Sequence, residues 1–505
     1  MREKPAVYAS PLKRSTGRAP NAMDVDEEVV SVREISGHAD NDRMREVRIS
    51  CPDATGLGCD ITRMLLDFGL IITQGDISTD GKWVFFILKV ELAAGVSPHW
   101  KLLKTRLEKV CPTTNNTHTL WRWHSNPKDF QHPFLLQVTS YDRRGVLHDL
   151  MHTLWESDVV VFKAHVTTGP SEKVLDMFWI YDNRCELPDN HRVLEISDRV
   201  RDCLQQQDAE CSITPAPPET CDEDSTSTII KRCACKDANP ASPLRKIISS
   251  KKHLKGSGGA AAARAASAVT SESDEYGKQE EVLVAVDNCT TTAYSLVNIM
   301  CHDRKGLVYD LMRTMKDIQI RVAYGKITVR EKGMCEVDLF IQEPDGTRIN
   351  DMDLLDELVE RIRGAVLLPV RISVKDVYDG TCTELLVSAN LDSGGRGRPR
   401  VTYDVTAALN HMDLCVFMAD VFIEARLGDT ERRPQELHRF LIHYKDGRRL
   451  ESVGEKRAVY NSVRAQLTGT QQAKRSMATS PQPQPPTQAV PLSLMQSLSA
   501  WKWQS

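Results

Sequence analysis

At 505 residues the chain is longer than one hydrophobic core usually serves, so three or four domains are expected rather than one catalytic body. With 65 Lys and Arg against 69 Asp and Glu, the formal net charge of −4 excludes an overall pull towards nucleic acid or anionic membrane; any such binding has to be local. Hydrophobic residues make up 41%, enough to fill cores, yet no apolar run approaches the ~20 residues of a membrane span and the opening MREKPAVYASPLKRSTGR holds no signal core.

In chain order, residues 1–44 mix Pro, Ser, Arg and an acidic cluster without periodicity and read as disordered. A first unit, 45–124, is predicted as strand 47–51, helix 60–68 stopped by Gly69, strands 70–78 and 83–90 joined by the turn Asp80-Gly81, helix 100–110 and strand 117–123. A second, 132–214, repeats the order with strand 134–140, helix 147–155, strands 159–167 and 174–181, helix 192–205 and a strand near 211–214. Residues 215–280, rich in Pro, Ser, Ala and charge, read as a linker. The third unit, 281–375, is predicted as strand 295–301, helix 307–315, strands 320–329 and 335–342, helix 352–362 and strand 366–374. The fourth, 382–467, has strand 384–389, helix 401–409, strands 414–423 and 437–444 and helix 455–467, with no evident closing strand before a Pro/Gln-rich, disordered tail, 468–505. The fold class is α+β: four tandem ferredoxin-like βαββαβ units with antiparallel sheets.

One pattern, Asp-x-x-Gly-(Leu/Val)-x-x-Asp-(aliphatic), punctuates the first three units at the turn from first strand to first helix. It reads Asp53, Gly56, Leu57, Asp60; then Asp142, Gly145, Val146, Asp149; then Asp303, Gly306, Leu307, Asp310. A glycine there lets the chain enter the helix tightly and leaves helix N-terminal amides facing outward, a receptor for a carboxylate. The first Asp can accept from an ammonium group, so the two sites together suit a free amino acid. Asp60, Asp149 and Asp310 fall inside the helix start and read as partners of the helix dipole; the bland reading of the whole loop is a cap and a turn.

The segments CPDATGLGCDITRMLLDFGLIITQGDISTDGKWVFFILKV, YDRRGVLHDLMHTLWESDVVVFKAHVTT and CHDRKGLVYDLMRTMKDIQIRVAYGKI resemble ACT domains, small regulatory modules that bind amino acids. Their tandem array resembles the plant ACT-domain-repeat (ACR) proteins. The resemblance implies effector binding at these loops, across an interface where two units set their sheets side by side. Carried over, it implicates Asp53, Gly56 and Leu57; Asp142, Arg143, Gly145, Val146 and Leu147; and Asp303, Arg304, Gly306, Leu307 and Val308. The fourth unit departs from the pattern: Gly394-Gly395-Arg396-Gly397-Arg398-Pro399 replaces the loop, so it binds something anionic or nothing.

The expected protein is a non-enzymatic amino-acid sensor whose units pair first with second and third with fourth, or form a homodimer. The alternative is an ACT scaffold that assembles partners without a small ligand. Arg396-Gly397-Arg398-Pro399 also looks like the core of an AT-hook for A·T-rich DNA, but its place on the loop of a folded unit argues against a nucleic-acid role. No cofactor and no metal is expected: Walker, Gly-x-Gly-x-x-Gly and nucleophile-elbow motifs are missing, His148-Asp149 and His302-Asp303 fall in different registers, and Cys233, Cys235 and His253 would need a folded linker to hold zinc. The scattered cysteines fit a reducing compartment, so a soluble cytoplasmic protein is expected, with nucleus and plastid left open.

Overall fold

The computed structural model describes residues 28–35, 43–93, 96–97, 99–112, 133–168, 173–206, 208–217, 282–330, 333–378, 380, 382–424 and 434–469. Around the first motif lie β1 (Val30–Glu34), β2 (Met44–Pro52), α1 (Leu57–Asp67), β3 (Leu70–Thr79), β4 (Trp83–Leu92) and α2 (Trp100–Val110). Around the second lie β5 (Phe134–Tyr141), α3 (Val146–Glu156), β6 (Val159–Thr168), β7 (Lys173–Asp182), α4 (Asn190–Leu204) and β8 (Glu210–Pro215). The third has β9 (Leu283–Asp287), β10 (Ser295–His302), α5 (Leu307–Asp317), β11 (Arg321–Val329), β12 (Met334–Gln342) and α6 (Met352–Leu367). The last part has β13 (Arg371–Val377), β14 (Cys382–Asn390), α7 (Val401–His411), β15 (Leu414–Glu424), β16 (Gln435–Tyr444) and α8 (Val453–Thr468).

These strands form two antiparallel eight-stranded sheets, β1-β2-β4-β3-β11-β12-β10-β9 and β13-β14-β16-β15-β6-β7-β5-β8. Each sheet is two four-stranded halves joined at a seam, and each half carries one strand-to-helix loop, three of them with the motif. The helices follow apolar spacing: Leu57, Ile61 and Leu65 of α1, four residues apart, are all buried against the sheet. One continuous core runs under the first and third halves and another under the second and fourth, so each sheet is a single packed body. Contacts between the two bodies come from their helical sides, for example Arg106 of α2 on Asp158 after α3, at 2.7 Å. Among the described residues no helix is long and apolar enough to cross a membrane.

The pairing of first with second and third with fourth is therefore corrected: the first half pairs with the third through β3 and β11, and the second with the fourth through β6 and β15. At the centre of each seam an acid stands opposite a base in register, Asp76 against Lys326 and Asp420 against His165. Flanking positions are reciprocal small and large, Gly75 against Ile327 and Ile77 against Gly325, where a Cβ on Gly75 would come within 2.9 Å of Ile327. Self-pairing of one half would set like charges opposite, which is unfavourable, but this rule alone also permits first with second. What decides is the chain path: three residues, 368–370, carry it from α6 in one sheet's helical layer to β13 in the other sheet.

That crossing also corrects the third closing strand predicted at 366–374. Residues 366 and 367 finish α6, and β13 pairs with β14, supplying the strand the fourth part was missing. The edges beside β2 and β10 are held instead by β1 and β9, which precede their helices. A strand at Val30–Glu34 thus replaces part of the disorder expected in 1–44. The strand expected at 117–123, residues 218–280 of the linker expected at 215–280 and residues 470–505 of the tail expected at 468–505 lie outside the described residues.

Candidate functional site

The three motif glycines each sit at the N-cap of their helix in the left-handed region, with φ of 82° at Gly56, 81° at Gly145 and 78° at Gly306. A side chain is strained there, which is why the pattern asks for glycine. Each glycine carbonyl accepts the first helical bond, from Asp60, Asp149 and Asp310 N–H at 3.1, 2.9 and 3.0 Å. The amide of the residue after the glycine folds back within the loop, as in Val146 N–H to Arg143 O at 3.2 Å. No side chain caps α1, α3 or α5, whereas α4, α6 and α8 are capped by Asp189, Asp351 and Ser452. Among the described residues this leaves the amides of Leu147 and His148 of α3 without an intrahelical or side-chain cap partner, pointing their partial positive charge out of the helix.

In the fourth part Arg400 occupies the glycine position, with φ 66°, and Asp404 N–H bonds to its carbonyl at 2.8 Å. A left-handed non-glycine costs roughly 1–2 kcal/mol. Arg400 is held by a bond from Nη1 to Asp67 O at 3.0 Å and by Tyr403, whose ring lies 4.2 Å from the guanidinium.

The loops differ in what covers them. Over Gly56 lies the aliphatic stem of Lys316 from α5, with a built Cβ falling 2.9 Å from Cε. Lys316 Nζ stands 3.4 Å from Asp60, and Asp53 receives Thr79 Oγ1 at 2.8 Å and faces Arg321 at 3.5 Å. Over Gly306 lies the Arg398 guanidinium, ion-paired with Asp310. Arg304 is a strut: it donates to Asp310 at 2.7 Å and to the α6 carbonyls of Ala365 and Val366 at 2.7 and 3.3 Å. Lys305, 1% exposed, donates to Asp404 at 2.6 Å, and burial pulls its ammonium down to about 8. Burial also pushes the Asp303 carboxyl up to about 6. Asp303, Arg304, Gly306, Leu307 and Val308 line a narrow cleft, partly open to solvent, closed opposite by Leu65, Leu66 and Ile72 of the first half.

The second loop is covered differently. The side-chain amide of Asn410, at the end of α7, meets Gly145, with a built Cβ 2.9 Å from Nδ2. Asp142, Arg143, Gly145, Val146 and Leu147 line a narrow cleft open to solvent, whose far wall is Thr406, Asn410 and Cys415 of the fourth part. Arg143 folds onto Asp149 at 2.7 Å and donates to Cys203 O at 3.1 Å, while His148 meets Thr406 Oγ1 at 3.1 Å. Arg144 pairs with Asp413 and donates to Asn410 O. Leu57, Val146, Leu147, Leu307 and Val308 turn their side chains into the core, so these five offer a ligand mainly backbone.

Below the second loop the structure adds a residue that the motif does not reveal. Asp176 on β7 is fully buried, neither carboxyl oxygen has a partner among the described residues, and burial together with Asp142 raises its pKa well above the usual range. By strand register its counterparts are Phe86, Val337 and His438. An acid standing between Val174 and Phe178, in the helix-facing row of an apolar strand, is the signal that could have exposed it.

The AT-hook-like segment, Arg396 to Pro399, turns inward. Arg396 donates to Asp60 at 2.5 Å and to Asp392 at 2.9 Å, Arg398 is buried on Asp310, and Arg63 donates to Gly397 O at 2.6 Å. These guanidiniums are spent inside the molecule, where one loop grips the acidic helix starts of both the first and third halves. Burial opposes the charge of Asp392, but Arg396 and Arg63 win and hold its carboxyl down to about 2.

Comparison with known proteins follows this geometry. Residues 35–112 match the family described as "ACT domain-containing protein ACR10, N-terminal", 283–377 match "ACR9-like, ACT-like domain", and 383–469 match "ACT domain-containing protein ACR9, C-terminal". The chain is 33% identical to ACT domain-containing protein ACR10 of Arabidopsis thaliana over 79% of its own length and 90% of the relative's. It is 31% identical to ACT domain-containing protein ACR9 of the same plant, over 84% and 94%. Two antiparallel sheets with helices on one face, glycine-capped loops at the seams and these relatives place the chain in the plant ACT-domain-repeat (ACR) proteins.

Proposed function

We propose that the protein is a non-enzymatic amino-acid sensor built of four ACT units, and that its ligand loop is the second, residues 142–148, closed by α7 and β15 of the fourth. The observation that carries this reading is the pairing of an uncapped helix start at Leu147 and His148 with Asp142, across a cavity whose cover is the neutral amide of Asn410. The amides suit the carboxylate of an amino acid and Asp142 its ammonium. A ligand there bridges the two halves of one sheet and would stiffen the β6–β15 seam, a coupling of typically ~1–3 kcal/mol available to redirect a partner. Soluble cytoplasm is the compartment that composition favours.

A scaffold without ligand is the second reading, favoured by the cations over Gly56 and Gly306 and by an exposed apolar row on the outer sheet face, Trp83, Phe85 and Ile87 of β4 with Tyr324 of β11. Thermal unfolding of the full chain against each of the twenty amino acids separates the two, since a ligand of the folded state raises the midpoint by mass action. The sensor reading expects one or two amino acids to raise it, and Asp142→Asn to abolish the rise while leaving the unliganded midpoint in place. No rise with any amino acid would leave the scaffold.

A further inference from the structure

We propose that His99, His152 and Glu156 form a divalent-cation site with two imidazole nitrogens and one carboxylate, suited to Zn²⁺, which clamps the first half to the second. His152 and Glu156 stand one turn apart on α3 and so project from one face. His99 comes from the other sheet's body, at the N-cap of α2. Nε2 of His99 and Nε2 of His152 approach the same carboxylate oxygen, Glu156 Oε1, at 3.7 and 3.8 Å, and the three ligand atoms lie within 4.8 Å of one another.

These separations are too long for hydrogen bonds, so three electron-rich atoms converge without bonding one another. Around a tetrahedral Zn²⁺ with bonds of about 2.0–2.2 Å, neighbouring ligands stand ~3.3–3.5 Å apart. Shifts of a few tenths of an ångström on half-exposed side chains reach that geometry for both contacts to Glu156. Nδ1 of His152 is buried with no partner among the described residues. The floor is rigid: Trp155 lies 5.6 and 5.9 Å from the two imidazoles, donates to Asp67 at 2.7 Å and is covered by the Arg106 guanidinium at 4.8 Å. Three protein ligands leave a fourth position for water. No strand pairing joins the first and second halves among the described residues, so a cation here would add a cross-link between bodies that otherwise meet through side chains, the Lys305 N–H to Thr468 O bond and the chain crossing at 368–370.

The sequence hid this set because its ligands are 53 positions apart (152 − 99) and belong to different repeats. The test is titration of chelator-stripped full-length protein with Co²⁺ and then Zn²⁺. The site predicts the visible absorption of four-coordinate Co²⁺ without a thiolate charge-transfer band, and displacement by Zn²⁺. His99→Gln, His152→Gln and Glu156→Gln should each weaken binding at least ~10-fold, a loss already seen when outer-shell partners are removed. The exposed His191→Gln should not, and a circular-dichroism melt of every variant before metal is added identifies any that fails to fold. Absence of uptake, a thiolate-type spectrum alone, or affinity unchanged in the folded variants would overturn the proposal.

Discussion

The two sheets treat the same loop in opposite ways. In the first–third sheet, Gly56 and Gly306 lie beneath Lys316 and Arg398, whose charges are matched by Asp60 and Asp310. In the second–fourth sheet, Gly145 lies beneath an asparagine, and the strand below carries a buried acid where the first sheet carries Phe86 and Val337. A helix start roofed by a neighbour's cation that is locked to the first-turn carboxylate has the approach to its amides closed and works as a latch. One roofed by a neutral amide, its first-turn Asp149 held by Arg143 of its own loop, leaves the outward amides open to a carboxylate.

The largest break in this contrast should come from the latch. Lys305→Met leaves Asp404 buried, 3.5 Å from Arg400 and without its closest partner, and should cost about 3–5 kcal/mol in chemical denaturation. Lys305→Met with Asp404→Leu should recover most of that loss, because removing a buried pair together is far cheaper than orphaning one member.

Gly145→Ala should cost less, roughly 1–2 kcal/mol from the left-handed backbone, and should remove any amino-acid response because its methyl also pushes against Asn410. Asn410→Lys sharpens the contrast further by converting the open loop into a copy of the first. The response should then vanish while the midpoint of unliganded protein stays within the ~0.5 kcal/mol typical of surface changes. In the reverse direction, Lys316→Asn leaves Asp60 with Arg396 and should give the first loop a new, weak response measurable by calorimetry.

The pH acts on two buried carboxyls whose shifts have opposite sense. Asp303 is raised from its ordinary value to about 6, so the folded protein binds the proton more tightly, and this group's contribution to stability falls as pH rises from about 4 to about 6. Asp392, held down to about 2, works in the opposite sense: its contribution is present above about 4 and is lost as pH falls towards 2. Asp303→Asn should flatten the slope between about pH 4 and 6 in denaturation midpoints, and leave the acid limb below it unchanged.

What the sequence made legible was local. Positive φ at Gly145 and four-residue apolar spacing in α1 act within one turn of chain, so the motif and the helix starts could be read directly. Choice of partner across a seam is not local: Asp76 could oppose His165 as well as Lys326, and only the short crossing at 368–370 and the reach of the 394–400 loop to both Asp60 and Asp310 separate the options. The arginines were legible as charge, but their carboxylates lie 88 and 336 positions away. Asn410 was invisible for the same reason, since the cover of one loop is built from another repeat, whereas Asp176, on a strand some thirty residues on, showed only as an acid in an apolar row.

The central claim is that the second loop receives the ligand and the first and third do not. Hydrogen exchange of the full chain with and without the amino acid that raises its thermal midpoint tests it amide by amide. The account predicts added protection at residues 143–148 and along the β6–β15 seam, with 54–59 and 304–309 unchanged. Protection confined to 54–59 or 304–309, with 143–148 unchanged, would contradict it.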